Sequence, residues 1–454
     1  MSGTMRLTDD AIRLALTPAS TIHAPAGLAD EIRDATDATP QWSAGLFGNP
    51  MRHRTRLVLQ VVVVGLLLLA LLEALLLVGS HRPPPPLPIV STYHGGPERN
   101  GIMPGPGPQG APRLEWQVNL KGPVGAWSPV VVDGTVYVGD EGGFVTAVDE
   151  KTGTVRWQQD VGAPIHSGAS VADGMVLIGD DAGVLHALDA ARGTEVWTYH
   201  ADGPIHGATA IVDGVAYVGS LGGHLAAFDV ANGRPRWPAP VGTGGSISRA
   251  IAVADGIIYA GSGGASAADA GTLGAYDAAT GAMRWEVSLE PGNTSTPTVA
   301  DGQVYVTTGL DIATTAKHGI FALDAKTGSK VWAGPFRAPS GKNVYLGAVA
   351  DGQVYAESSD GNLYVLDATT GAPAWQLPIG ANTSPNGGIV GGVFYATSDD
   401  QKIHAIDSAT HSELWAFKIT GSPAGPAIVD GRIVVGTALG KLVSVVGSGG
   451  IPQQ

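Results

Sequence analysis

Apolar positions along the chain follow two patterns. From Leu57 to Ser80 the sequence reads "LVLQVVVVGLLLLALLEALLLVGS", long enough and apolar enough to cross a bilayer as one helix. Further on, the apolar residues come in short runs separated by turn residues. The stretch "SPVVVDGTVYVGDEGGFVTAVDEKTGTVRWQ", Ser128 to Gln158, shows the unit. "SPVVV" predicts a first strand, A, and Asp-Gly a tight hairpin turn, because Gly accepts positive φ. "TVYVG" predicts strand B, "FVTAVD" strand C, and "TVRWQ" strand D after a Lys-Thr-Gly turn.

The unit recurs. An Asp-Gly or Gly-Gly turn falls at 133, 173, 213, 255, 301, 351, 391 and 430. A Trp falls at each of Trp116, Trp157, Trp197, Trp237, Trp285, Trp332, Trp375 and Trp415. An Asp closing a short apolar run falls at Asp149, Asp189, Asp229, Asp277, Asp324, Asp367 and Asp407. The basic period is 40 residues and there are eight copies. Four short strands at this period predict the blades of an all-β, eight-bladed propeller. A carboxylate that returns seven times at equal spacing is a scaffold part, because an active site needs it once. Its expected task is to accept backbone N–H groups in the turn that follows. The Trp is expected to cover apolar area between neighbouring sheets. The last copy ends without a strand D, and Trp116 precedes the first strand A. Arg113–Leu120 is therefore expected to be the outer strand of the blade built by residues 425–447, which removes a raw sheet edge.

Composition agrees and excludes. Gly is abundant, at 66 residues, as a turn-rich β protein needs. There is no Cys, hence no disulfide, thiolate metal site, Cys nucleophile or lipid-modified N-terminal Cys. The formal net charge is -14, and residues 83–454 carry all of the excess, with 33 acidic and 19 basic side chains. Such a body lacks the basic footprint of nucleic-acid binding.

The order of segments is then a cytoplasmic part, 1–56, a transmembrane helix, 57–80, a Pro/Gly-rich linker and lead-in, 81–112, the propeller, 113–447, and a tail, 448–454. Arg52, Arg54 and Arg56 precede the apolar span and Arg82 alone follows it, so the N-terminus is expected inside and the propeller outside. Glu73 lies within the span, either paired with a partner helix or protonated toward the headgroups. The first segment offers two short helices, one capped by Thr8 and one with Leu28, Ile32 and Ala35 on one face. They form an interaction segment or stay disordered.

"ALDAARGTEVW", "VLDATTGAPAW" and "VDEKTGTVRW" resemble the repeat of the PQQ-like β-propeller family, A-x-D-x-x-T-G-x-x-x-W. "YHGGPERNGIMPGPGPQGAPRLEWQ" resembles the segment that often precedes such repeats in membrane-anchored bacterial members. The resemblance covers about residues 92–447 and implies the eight-bladed fold. It spans quinoprotein alcohol dehydrogenases and the propeller lipoprotein of outer-membrane protein assembly. For a dehydrogenase it implies PQQ stacked in the channel, Ca²⁺ held by Glu and Asn, an Asp base, a stacking Trp and often a vicinal Cys pair. This chain has no Cys, Trp127 is its only non-repeat Trp in the propeller, and Glu290 is the only Glu in the loops near the channel.

The repeat also separates two rims. From the strand-C Asp to the Trp the spacing is eight residues in all seven copies. Length varies only in the B–C and D–A connections: Tyr259 to Asp277 is 18 residues and Tyr305 to Asp324 is 19, against 12 in most copies. Variable loops on a rigid scaffold are where binding resides. The D–A connections carry residues that differ from copy to copy: Trp127, His166, His206, Arg249, Asn293, Tyr345 and Asn386. His166 and His206 occupy one position in adjacent copies and could hold a metal, but no third ligand stands at equivalent positions. Hydrogen-bonded rim histidines are the preferred reading.

Two functions remain. The first is a membrane-anchored, extracytoplasmic, non-catalytic scaffold or sensor that binds proteins or cell-envelope material. The alternative is a PQQ-dependent dehydrogenase using the central channel. The sequence favours the first and predicts neither PQQ nor Ca²⁺.

Overall fold

The structure, a computed structural model, describes residues 90–263, 270–309, 319–380 and 383–449. The predicted cytoplasmic segment and membrane span lie outside these residues. Among the described residues no helix is long and apolar enough to cross a membrane.

Eight antiparallel sheets follow one another around a ring. In the first blade strand A is Val130–Val132, strand B Thr135–Gly139, strand C Phe144–Asp149 and strand D Val155–Asp160. The order A-B-C-D recurs in every later blade except the fifth, whose sheet has strands A, B and C alone, and in each blade strand A is the one nearest the lead-in. Strands B and C are buried almost throughout, whereas strand D alternates exposed and half-buried positions. The cores lie between blades: Tyr137, Val145 and Ala147 of the first pack with Val171, Val176 and Leu188 of the second.

The turns are as the sequence predicts. Asp133 and Gly134 have φ of 48° and 68°, the pair that a two-residue hairpin of the right twist requires. Asp149 Oδ1 accepts the N–H of Lys151 at 3.1 Å and of Thr152 at 2.9 Å, and the Thr152 hydroxyl at 2.9 Å. Asp277, Asp324 and Asp367 repeat that set. The Arg156 guanidinium, at 2.7 Å, holds the Asp149 carboxyl down at about 2, and Arg284 does the same to Asp277. Each repeat Trp reaches into the next blade. Trp157 Nε1 donates to Ala190 O at 2.9 Å, and its ring lies against Gly193, where any Cβ would meet it at 2.5 Å. Trp116, Trp197, Trp237, Trp285 and Trp332 make the equivalent bond at 2.8–3.2 Å. In the seventh blade His411 stands where the others have that glycine; it keeps a positive φ of 57° and stacks on Trp375 at 4.5 Å.

The ring closes as expected. Pro112–Asn119 pairs with Lys441–Gly447 and supplies strand D of the eighth blade. A buried ion pair locks the seam: Arg432 meets Glu115 through two bonds of 2.9 and 3.2 Å and Asp430 at 3.2 Å. Two outer strands depart from the prediction. In the third blade prolines 235, 238 and 240 break the ladder, leaving a bridge from Phe228 to Pro235 and the short strand Val241–Gly242. In the fifth, "KVWAGPF" leaves bridges from Leu323 to Lys330 and from Ile320 to Phe336.

The lead-in does more than connect. Its residues from Val90 to Gly105 run inside the ring and bond to the innermost strands in turn. Val90 pairs with Val131, Ser91 O accepts Val171 N–H at 2.7 Å, and Pro97 O accepts Val253 N–H at 2.8 Å. Glu98 O, Asn100 O and Gly101 O accept Val299, Val349 and Ile389 N–H at 2.8–2.9 Å, and Gly105 N–H donates to Ile428 O at 3.3 Å. The third blade is joined by side chains, as described next.

Candidate functional site

Inside the ring, Arg99 is completely buried, and its five N–H donors meet five acceptors. Nε donates to Ile251 O at 3.0 Å, Nη1 to Thr92 Oγ1 and Tyr93 O at 2.5 and 2.7 Å, and Nη2 to Ala208 O and Thr209 O at 3.2 and 3.0 Å. Burial pulls its pKa to about 10. His94 serves the other side: Nδ1 lies 2.8 Å from Arg99 O, and Nε2 lies 2.5 and 3.0 Å from the carbonyls of Gly347 and Gly387. Burial lowers the His94 pKa, and these carbonyls work against that shift. The lead-in thus ties blades three, four, six and seven together at this level. Its polar pair is neither rim-facing nor repeated, and sequence reading missed it. "HGGPERN" carries no period to betray it.

The rim with the B–C and D–A connections gathers most of the singled-out residues. In "PIHSG" and "PIHGA" the isoleucines Ile165 and Ile205 are buried pegs against Gly139 and Gly179, where a Cβ would meet them at 2.6 and 2.2 Å. The next residue in each case, His166 or His206, is partly exposed. Their rings lie 5.5 Å apart. Trp127 is half-buried, packs edge-on against Tyr93 at 4.6 Å, and donates Nε1–H to His166 O at 2.5 Å. Arg249 follows beside His206, with Gly207 against its backbone. Asn293 lies further round, next to Gly263. Tyr345 and Asn386 are not loop residues, a correction to the sequence reading. The innermost strands of blades six and seven lengthen to Val344–Ala350 and Thr383–Val390 through bulges, and they include both. The Tyr345 hydroxyl accepts from Asn343 Nδ2 at 3.1 Å, and the Asn386 side chain lies outside the described residues.

Between the two histidines stands Asp181, from the B–C turn of the second blade. His166 Nδ1 lies 3.0 Å from both of its carboxylate oxygens, and His206 Nε2 lies 3.0 Å from Oδ1. The far nitrogen of His166 faces Glu141 at 3.8 Å. All are partly exposed, with side-chain exposures of 41, 31 and 31% for His166, Asp181 and His206. Burial lowers the His206 pKa; Asp181 opposes this, and His166 and Arg249 add to it. The missed signal was "GDEGG" and "GDDAG", acidic B–C turns in two successive copies where the third reads "GSLGG".

The opposite rim has a cleft of about 780 Å³ between blades three and four, bounded by Tyr217, Arg236, Val253, Asp277 and Arg284. It adjoins the place where Pro235 interrupts the outer ladder.

These features define an eight-bladed propeller of PQQ-like repeats, with a single-copy segment inside the ring and a histidine-bearing rim. The chain belongs to the family described as outer membrane protein assembly factor BamB, whose model matches residues 111–256 and 244–438. No curated protein matches it. Among solved structures it is similar to BamB from Moraxella catarrhalis, at 18% identity over 74% of this chain and 100% of that one, with a TM-score of 0.59. It is similar to the quinohemoprotein alcohol dehydrogenase from Comamonas testosteroni, at 17% identity over 81% and 82% of the two chains, with a TM-score of 0.62. The computationally designed Ika8 protein is alike to the same degree, at 17% identity over 73% and 99%, with a TM-score of 0.61. At such identities the likeness is one of fold, and one fold serves many roles.

Proposed function

We propose that this protein is a membrane-anchored, extracytoplasmic binding scaffold whose working face is the rim of B–C and D–A connections. Its partners are other proteins or cell-envelope components, in keeping with a family described by its part in outer-membrane protein assembly. Nucleic acid is not among them, given the acidic body. The observation that carries the reading is the lead-in inside the ring. PQQ is a flat trianion and needs a stacking surface with cationic or N–H partners. The Arg99 guanidinium inside the ring spends all five donors on protein oxygens, and Trp127, the only non-repeat Trp among the described residues, packs against Tyr93. Catalysis with PQQ and Ca²⁺ is the alternative that the fold relatives keep in view.

The test uses the full-length chain in two assays. Capture from a membrane extract is compared for wild type and a rim variant, Tyr345→Ala with Trp127→Ala. A partner held by wild type and lost by the variant supports the reading; equal capture sinks it. Titration with PQQ and Ca²⁺, followed by absorbance and a dye-linked assay, is expected to give no stoichiometric binding and no turnover. The anchor has its own check. A reporter active only outside the cytoplasm should give signal when fused after residue 92 and none when fused at residue 45.

A further inference from the structure

We propose that His166, Asp181 and His206 form a binding site for a divalent cation of the zinc class, set between the second and third blades. Two imidazole nitrogens and one carboxylate are the donor set that borderline metals such as Zn²⁺, Co²⁺ and Ni²⁺ prefer over Mg²⁺ or Ca²⁺. One ligand atom from each residue falls within 4.8 Å of the other two. The two nitrogen–oxygen separations are already 3.0 Å. Donors bound to one Zn²⁺ at about 2.0–2.2 Å stand roughly 3–3.5 Å apart, so only the two imidazoles need to draw together.

The scaffold favours this arrangement. Ile165 and Ile205, buried to 2% and 0% exposure, fix the backbone next to each histidine. Asp181 is fixed by its own N–H, which donates to Pro164 O at 3.0 Å in the loop that carries His166. Glu141 lies 3.8 Å from the far nitrogen of His166, close enough that a small shift on metal binding would make it the outer carboxylate that orients a ligating imidazole. The partial exposure of all three ligands leaves an entry path and room for water to complete the coordination. Arg249 is a positive charge near His206 that opposes a cation, and the Asp181 and Glu141 carboxylates act the other way. Without metal, the same atoms are within hydrogen-bond distance, two imidazoles meeting one carboxylate, so the three groups are already gathered.

Untagged full-length protein, stripped with chelator, is titrated with Co²⁺ at pH 7.5 and the visible absorption of bound cobalt is followed. The expected result is one equivalent taken up per chain, displaced by Zn²⁺. His166→Ala with His206→Ala should abolish it, and Glu141→Gln should weaken it about tenfold. His224→Ala, which alters a histidine paired with Asp202 elsewhere on the rim, should leave uptake unchanged. If the double variant fails to fold by circular dichroism, the near-isosteric Asp181→Asn decides, and it should lose most of the affinity. Failure of wild type to take up one equivalent, or full affinity in Asp181→Asn, overturns the proposal.

Discussion

The turn rim and the lead-in hold the same ring together in opposite ways. On the turn rim one carboxylate motif returns in blade after blade, partly exposed, each copy closing its own turn. Inside the ring one segment touches every blade, and its polar side chains have no duplicate. Repetition makes each turn locally dispensable. A single-copy hub has no spare, because its loss leaves acceptors stranded in several blades at once. The fold therefore concentrates its vulnerability where the repeat is silent.

The largest effect is expected at the hub. Arg99→Met keeps length and loses five hydrogen bonds, taking this donor from the buried carbonyls of Ile251, Tyr93 and Ala208, whereas Thr209 O keeps the Ser170 hydroxyl. A loss of about 3–5 kcal/mol is expected, as for breaking other buried charged networks. Urea unfolding of the full-length chain measures it, and a loss under 1 kcal/mol would erase the contrast between the two regions. The seam ranks next. Glu115→Gln leaves Arg432, 2% exposed, without its bidentate partner, although Asp430 stays within reach. A cost of roughly 2 kcal/mol is expected, by the same assay.

A single turn should matter less. Asp149→Asn is expected to cost about 1 kcal/mol at neutral pH, the worth of a capping side chain. It also has a signature in pH. The folded Asp149 carboxyl is held at about 2, below the unfolded value near 4. Its contribution is present above pH 4 and is lost as pH falls from about 4 to 2. Melting temperatures measured across that window should fall less steeply in the variant than in wild type. The smallest effect is expected at the exception among the turns. His411→Gly relieves a positive φ but gives up the stack on Trp375, two terms of about 0.5–1 kcal/mol that oppose each other. A melting shift beyond a few degrees would mean that this blade is not interchangeable with its neighbours.

Legibility in the sequence follows the same division. Strands, hairpins and the repeated Trp were open to reading because each is set within a few residues and then repeated. The seam was open too, since a missing strand at one end matched an extra Trp at the other. The outer strands of blades three and five were misjudged where prolines and Gly-Pro override the apolar pattern. Tyr345 and Asn386 looked like loop residues because the other copies have short inner strands, and only the bulged ladders show otherwise.

The sequence by itself determined an eight-bladed ring, its period, its closure and the scaffold role of the seven aspartates. These follow from alternation and turn chemistry, which act over a few bonds and recur. The tertiary structure alone decided that the lead-in runs inside the ring and that Asp181 sits between His166 and His206. Asp181 is 15 residues from one histidine and 25 from the other, in a different connection from either. No period relates the three positions. They meet because neighbouring blades bring a B–C turn and two D–A loops onto one rim, a proximity that the packing of the sheets creates.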